Sequence, residues 1–160
     1  MKAANIFKFI ALCLTSAAVQ SATGCRPGWL QFQDSCYGFA REAMTWPDAQ
    51  ALCRAYGSYL VEINSKSEND WIVSQVKNRT WALVWLGSSD IFNEGTFQWT
   101  SSGETIGAFT DYDAGQPDNR DDVEHCLHIA QSLGYKWNDV KCLESKRFVC
   151  EAKMPVCRYT

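Results

Sequence analysis

The chain has 160 residues, of which 46% are hydrophobic and 13% aromatic, and its formal net charge is −3. This length and composition predict one globular domain with a substantial core, and they exclude an intrinsically disordered chain. The acidic balance argues against nucleic acid or an anionic membrane as a partner. It is compatible with a surface that binds cations.

The first 21 residues have the pattern of a secretory signal. Lys2 and Lys8 provide the positive end, residues 7–19 are apolar, and Val19-Gln20-Ser21 is a small-residue cleavage site. The alternative, a membrane anchor, needs an apolar run of ~20 residues, and neither this stretch nor any later one reaches that length. We therefore expect a secreted, extracellular protein made of residues 22–160. Its net charge would be −5, because the signal removes two lysines and no acid.

Cys13 would leave with the signal, and seven cysteines remain: Cys25, Cys36, Cys53, Cys126, Cys142, Cys150 and Cys157. In a secreted protein they are expected to form disulfides. Six cysteines permit many pairings, and the sequence alone does not choose among them. The odd cysteine is either a free thiol or a bridge between two chains.

The first third of the chain predicts a hairpin followed by a helix. Residues 25–39 alternate between apolar and polar positions on either side of a polar turn, which is typical of a hairpin. Thr45 with Asp48 three residues later forms a capping box, and Pro47 suits a first helical turn. Gly57 predicts the end of this helix.

A strand and a second helix are predicted next. Residues 59–63 predict the strand, and the helix is expected to begin at the N-cap Ser67, with Asp70 three residues later, and to reach Lys77. The following residues, Asn78-Arg79-Thr80, are an acceptor sequence for N-glycosylation at Asn78, which predicts a surface turn.

The rest of the chain predicts short strands and one long loop. The strands are expected at residues 81–86, 97–100, 126–129, 135–137 and 147–150. Residues 101–124 have no convincing periodicity. Because irregular segments of this length are uncommon in compact domains and are usually functional, we expect this loop to carry a site.

The second half of this loop is strongly acidic. Six carboxylates fall within fourteen residues: Asp111, Asp113, Asp118, Asp121, Asp122 and Glu124. Like charges at this density repel one another, so the segment is either an open, solvated loop or is gathered around a cation.

Three details favour the cation. Pro117 separates an amide, Gln116, from an acid, Asp118. Glu124 follows eight residues after Gln116, and Asn138-Asp139 repeats the amide–acid pair. Hard oxygen donors without a thiolate or imidazole pattern suit calcium, which takes about six to eight oxygen ligands.

These motifs, together with Trp85-Leu86-Gly87 and the cysteines, resemble the C-type lectin-like domain family in its calcium-dependent, sugar-binding form. The resemblance covers about residues 25–153, and the acidic run is most similar to molluscan shell-matrix members of that family. It implies an α+β fold with two helices, small antiparallel sheets and a long calcium-binding loop. It also implies the disulfides Cys25–Cys36, Cys53–Cys150 and Cys126–Cys142, which leaves Cys157 unpaired or available for a disulfide-linked homodimer.

The resemblance also implies a ligand set. Calcium (Ca2+) and sugar would be held by the same side chains, namely Gln116, Asp118, Glu124, Asn138 and Asp139, with the Gln116–Pro117 peptide cis as in relatives. In this family Gln-Pro-Asp accompanies galactose-type diols, which implies galactose or N-acetylgalactosamine. No aromatic ring lies between Pro117 and Cys126 for the sugar to stack on, so we expect weak, broad specificity that extends to mannose.

An auxiliary calcium is a separate expectation. Asp90 and Glu94 match acids that hold a second ion in some relatives, whereas Asn119 and His125 stand where further acids would be expected. This site would have a lower charge, and the alternative is a turn with ordinary surface acids. Zinc is not expected at His125 and His128, because a structural zinc needs four nitrogen or sulfur ligands.

Two functions follow from the resemblance. The first is a lectin that recognises glycans on microbes or cells in innate immunity, where agglutination requires more than one binding site. The second is a matrix protein whose acidic loop meets calcium carbonate mineral. The complete ligand set argues against a lectin-like fold without a sugar role, such as an ice-binding or venom protein. An enzyme is not expected, since the sequence has no HExxH, phosphate-loop or nucleophile-elbow motif.

Overall fold

The computed structural model describes residues 24–107 and 109–154. The expected signal at residues 1–21 and the odd cysteine, Cys157, lie outside the described residues and stay predictions. Within the described part of the chain, every helix is too short or too polar to cross a membrane.

The described residues form eight strands and two α-helices. The strands are β1 (Leu30–Phe32), β2 (Ser35–Met44), β3 (Tyr59–Leu60), β4 (Leu83–Ser89), β5 (Gln98–Trp99), β6 (Cys126–Ala130), β7 (Lys136–Val140) and β8 (Lys146–Lys153). The helices are α1 (Trp46–Ala55) and α2 (Lys66–Asn78), and short 3-10 turns occur at Arg120–Asp122 and Gln131–Leu133.

The strands join in the order β1-β2-β8-β4-β6-β7, with β3 paired to β8 and β5 paired to β4. The parallel pair β4–β8 connects the strands formed near the two chain termini to the strands beside the long loop. With two helices and this sheet, the chain has the α+β fold that the family resemblance implied.

The three disulfides are also those that the resemblance implied. Cys25–Cys36 closes the first hairpin, and Cys53–Cys150 ties α1 to β8. Cys126–Cys142 joins the start of β6 to the segment just after β7. This last bridge ties β6, which follows directly after the acidic run, to the end of β7, the strand that carries the Asn138-Asp139 pair.

Helix α1 begins as predicted. The Thr45 hydroxyl accepts a hydrogen bond from the backbone N–H of Asp48 at 3.4 Å, and Pro47 lies in the first turn. The helix buries Trp46, Ala49 and Cys53 against the sheet, so its apolar face is the one that the disulfide also fixes.

Helix α2 begins two residues before the predicted position, so Ser67 as its N-cap was wrong. The cap is Ser65, whose hydroxyl accepts from the backbone N–H of Glu68 at 3.2 Å. Both serines have an acid three residues later. The first pair prevails because the Glu68 carboxylate is buried and accepts from the Tyr37 hydroxyl at 2.7 Å and from Asn64 N–H at 3.0 Å.

The strand predicted at residues 81–86 corresponds to β4, which both begins and ends slightly later in the chain, at Leu83–Ser89. Trp85 and Leu86 are fully buried, which confirms the core role expected of Trp85-Leu86-Gly87. Gly87 packs against backbone, because its N–H donates to Val61 O at 2.8 Å and a Cβ at this position would lie 2.3 Å from Leu60 O. Glycine is therefore required here by a close approach of two chain segments.

The long loop is irregular, as predicted, and is anchored to β7. The backbone N–H of Trp137 donates to Asp111 O at 2.8 Å, and that of Asp113 donates to Trp137 O at 2.9 Å. Strand β7 itself is longer than expected, because its pairing with β6 continues to Val140. Asn138 and Asp139 consequently lie on a rigid strand that faces the loop.

Candidate functional site

Asp139 is the anchor of the candidate site. It lies on β7 and is fully buried. Its carboxylate accepts hydrogen bonds from two backbone N–H groups of the acidic loop, those of Asp118 at 3.1 Å and Asn119 at 2.7 Å. The strand therefore sets the position of the loop through a charged, buried acceptor.

Three carboxylates converge at this point. Asp118, Glu124 and Asp139 each offer an oxygen within 4.8 Å of the others. Burial, and then the charge of Asp139, raise the pKa of the Glu124 carboxyl above its ordinary value. Unneutralised carboxylates at this separation repel one another, so the arrangement is suited to a cation.

Two amide oxygens have the environment expected of metal ligands. Gln116 Oε1 and Asn138 Oδ1 are buried and have no hydrogen-bond partner among the described residues. The amide nitrogen of Asn138 donates to Asp139 O at 2.7 Å, so its oxygen is the free group. The Gln116–Pro117 peptide is cis, as expected. A buried acceptor without a donor is unfavourable unless a ligand satisfies it.

The donor set of three carboxylates and two amides fits calcium. All five groups are hard oxygen donors, and calcium accepts such ligands in an irregular shell with room for further oxygens. The structure brings the three acids together and leaves the two amide oxygens free to coordinate. The residues present therefore fit the ion that the sequence predicted.

His128 is a neighbour of this site that the sequence pattern did not reveal. It lies opposite Asn138 in the β6–β7 register, and its Nε2 is 3.4 Å from the Asn138 amide nitrogen. Burial, and then the charge of Lys146, lower the pKa of His128 to about 3, so the ring is neutral. Only the hairpin register, which the sequence did not define, could have identified this contact.

The residues expected for a second ion are also brought together, but they are paired with one another. His125 Nδ1 lies 3.2 Å from Asp90 Oδ1 and 3.2 Å from Glu94 Oε2. The Asn119 amide donates to Glu94 Oε1 at 2.5 Å, and its oxygen accepts from Glu124 N–H at 3.0 Å. An imidazole thus occupies the centre of the group in which an auxiliary calcium would need oxygens.

The six loop carboxylates do not form one cluster. Asp111 pairs with Lys136 and accepts from the Asn69 amide at 2.8 Å, so it belongs to the base of the loop. Asp121 and Asp122 are exposed and adopt left-handed backbone conformations, with φ of 59° and 57°. Charge density in the sequence therefore did not by itself identify the ligands.

Two tyrosines close in sequence to the ligand set, Tyr112 and Tyr135, are engaged in other contacts and are not free to stack on a sugar. Tyr112 packs edge-on against Trp137, with ring centroids 5.6 Å apart, and Tyr135 lies beneath the Lys77 ammonium at 4.8 Å. The turn between Asp90 and Glu94 instead carries Phe92, which is 95% exposed. The preceding residue, Ile91, is exposed as well, and the sequence pattern did not predict the exposure of either side chain.

Comparison with known proteins agrees with this fold. Residues 42–152 match the family model of the lectin C-type domain. Perlucin from Haliotis laevigata is 36% identical over 130 residues, covering 80% of this chain and 83% of perlucin. A perlucin-like protein from Mytilus galloprovincialis is 29% identical over 138 residues, covering 84% and 87%. The carbohydrate-recognition domain of the mouse scavenger receptor C-type lectin superposes with a TM-score of 0.72 at 33% identity, covering 84% and 100%.

The fold and the matched residues define a carbohydrate-binding domain, and not an enzyme. The chain belongs to the C-type lectin family. Among its relatives, the similarity to perlucin and to a perlucin-like protein extends over more than three quarters of the chain.

Proposed function

We propose that this protein is a secreted, calcium-dependent lectin that holds one calcium ion and one sugar at the same site. The ion would be bound by Gln116, Asp118, Glu124, Asn138 and Asp139. The observation that carries the proposal is the convergence of three carboxylate oxygens within 4.8 Å, on a loop and a strand that also carry Gln116 and Asn138, whose buried amide oxygens have no donor. A single calcium ion would neutralise the acids and would also be coordinated by the amide oxygens.

The sugar would complete the coordination of the ion with two vicinal hydroxyl groups. Each hydroxyl can also donate to a carboxylate and accept from an amide, so the order of amide and acid around Pro117 selects the geometry of the diol. Gln116 before Pro117 and Asp118 after it favour galactose or N-acetylgalactosamine. Because no ring follows Pro117, and Tyr112 and Tyr135 are packed against other groups, binding should be weak and should tolerate mannose.

Recognition of microbial or cell-surface glycans is the role that this chemistry supports. A weak site becomes useful when several sites act together, since avidity multiplies the affinity. Cys157 offers a route to a disulfide-linked homodimer. A non-reducing gel of the mature protein that contains only monomer would exclude this route.

A glycan array of the mature chain, probed in calcium and in EDTA, tests the proposal. We expect galactose and N-acetylgalactosamine signals with weaker mannose signals, all lost in EDTA. Asp118→Asn should reduce binding about 100-fold or more, since ligand charge determines calcium affinity. Asp121→Asn removes the same charge from the same loop, outside the ligand set, and should retain binding. Retention in EDTA, or equal losses in both variants, would refute calcium-dependent sugar binding.

A second candidate is a matrix role at calcium carbonate mineral. The feature that favours it is the exposed pair Asp121 and Asp122, which extends from the loop and is not part of the calcium ligand set. For this role, Asp121→Asn combined with Asp122→Asn should weaken adsorption to calcium carbonate and leave glycan binding intact. Adsorption that is unchanged in this double variant would exclude the mineral role for the loop.

A further inference from the structure

A second pocket lies at the opposite end of β4 from the calcium-binding loop. It has a volume of about 410 Å³ and is lined by Gly28, Phe39, Arg41, Arg79, Trp81 and Arg147. Arg147 pairs with Val84 near the start of β4, whereas Asp90 follows the other end of that strand. With about 3.3 Å per residue, a strand of this length separates the two sites by on the order of 20 Å.

Three guanidinium groups meet in this pocket without a carboxylate. Among the described residues, the ion pairs do not include Arg41, Arg79 or Arg147. Acids outnumber basic residues in the chain, 18 against 15, so a shortage of partners does not explain this. Burial, and then the charge of Arg41, lower the pKa of Arg79, which indicates that these two cations lie close together.

Two of the three guanidinium groups, those of Arg79 and Arg147, are held in position by aromatic rings and backbone. Arg79 stacks over Phe39 at 4.0 Å and donates to Gln75 O at 2.9 Å. Arg147 lies over Trp81 at 5.3 Å, and its Nε donates to the backbone oxygen of Arg41 at 3.2 Å. Like charges fixed next to one another are unfavourable unless an anion is shared between them, and arginine is the side chain best suited to bind oxyanions.

We propose that this pocket binds a tetrahedral oxyanion, a sulfate or phosphate ester, carried on a saccharide. Three guanidinium groups offer more N–H donors than the two oxygens of one carboxylate can accept, whereas a tetrahedral ester presents three free oxygens. The volume of the pocket, about 410 Å³, is more than ten times the roughly 30 Å³ that one water occupies in the liquid. It therefore accommodates a sugar ring together with its anionic group.

This binding would be independent of calcium, which separates it from the proposed lectin site. Dextran sulfate and neutral dextran, presented to the mature chain in EDTA, provide matched probes. We expect dextran sulfate to bind and dextran not to bind, with the same affinity when calcium is added. The net negative charge of the chain disfavours non-specific attraction of a polyanion, so binding requires a specific site.

Arg147→Gln should weaken dextran sulfate binding roughly tenfold, the value of one charge-assisted hydrogen bond, and Arg147→Lys should retain part of the affinity. Arg54→Gln, a matched loss of charge on an exposed residue of α1 that does not line the pocket, should change it less than about twofold, since salt screens charges outside the site. Thermal melting of each variant verifies folding. Calcium-dependent glycan binding measured on the same samples should be unaffected in all three variants.

Competition by inorganic sulfate and inorganic phosphate distinguishes the two sources of the oxyanion. Displacement at a lower sulfate concentration assigns a sulfate ester, and displacement at a lower phosphate concentration assigns a phosphate ester. Failure of both ions to compete, absence of dextran sulfate binding in EDTA, or equal effects of Arg147→Gln and Arg54→Gln would each overturn the proposal. None of these outcomes would contradict the proposed calcium site, because calcium-dependent glycan binding is measured separately.

Discussion

At the residue scale, Asp139 has two roles that cannot be separated by its removal. Its carboxylate binds the backbone N–H groups of Asp118 and Asn119, and it also faces the carboxylates of Asp118 and Glu124. Replacing Asp139 would therefore release the loop as well as remove a ligand. The exposed Asp118 is the better residue for testing the ion, because its side chain does not support the loop in this way.

Calcium affinity should fall as the pH is lowered from 7.5 to 4.5, the ordinary pKa of a glutamate. The pKa of Glu124 is raised by burial and by Asp139, so this carboxyl binds a proton at a higher pH than an ordinary glutamate does. Below that pKa the protonated group no longer serves as a ligand, and proton and calcium compete. Above it, the affinity should become independent of pH.

Calorimetric titration of calcium at several pH values measures this effect. Asp121→Asn, which leaves the ligand set intact, should show the same pH dependence as the unmodified chain. Calcium affinity that stays constant between pH 7.5 and 4.5 would contradict the role of Glu124 as a ligand.

At the element scale, the close contact between β4 and the end of β3 depends on Gly87. Gly87→Ala would place a Cβ 2.3 Å from the backbone oxygen of Leu60, and neither strand can move without disturbing the sheet. We expect a loss of about 3 kcal/mol in the free energy of unfolding, as for severe overpacking. Gly107→Ala is the control, because a Cβ there has no neighbour within 4 Å.

Urea denaturation of the two glycine variants, with disulfides intact, gives the comparison. Equal stabilities of Gly87→Ala and Gly107→Ala would show that the strands adjust freely. In that case the packing described around Leu60 would be incorrect.

The start of helix α2 gives a second test at this scale. Ser65→Ala should reduce the free energy of unfolding by about 1 kcal/mol, because the hydroxyl caps the helix through Glu68 N–H. Ser67→Ala should have less than about half that effect, since Ser67 lies inside the first turn. Thermal melting of both variants measures the difference, and a larger effect at Ser67 would contradict the observed cap.

What the sequence could predict was local. Thr45, Asp48 and Pro47 defined the start of α1 correctly because a cap depends only on neighbouring residues. Ser65 and Ser67 satisfied the same local pattern, and the choice between them depended on the burial of Glu68 against Tyr37, which is distant in sequence. Local patterns therefore could not decide which of the two serines caps α2.

The ligand set of the candidate site stays a prediction, and only part of its surroundings could be anticipated from the sequence. The acids and amides of the ligand set were named from their order along the chain and from the family resemblance. The pairing of His125 with Asp90 and Glu94, the contact of His128 with Asn138, and the arginine pocket all depend on how strands are placed next to one another. Such non-local contacts have no short-range signal.

At the scale of the whole molecule, the two ends of the sheet have opposite chemistry. The loop end gathers carboxylates, together with amide oxygens that have no donor, and the other end gathers guanidinium groups. Because β4 joins the two ends within one rigid sheet, a single chain could bind a neutral sugar through calcium and an anionic sugar through arginine. The two sites would then cooperate on a glycan chain that carries both kinds of unit.

The number of calcium ions bound by the chain depends on whether the group around Asp90 and Glu94 can hold a second ion. The group formed by Asp90, Glu94 and His125 is internally paired, and Asn119 bonds to Glu94. An ion at this position would be offered only two acids and one imidazole nitrogen, which is a poorer set for calcium than three acids and two amide oxygens. We therefore expect one calcium per chain near neutral pH.

Isothermal titration calorimetry of calcium into the mature, metal-free chain at neutral pH tests the central claim most directly. We predict heat from one ion per chain, its loss in Asp118→Asn, and its retention in Asp121→Asn. A titration without heat, or with the same heat in Asp118→Asn as in the unmodified chain, would contradict the assignment of calcium to this loop.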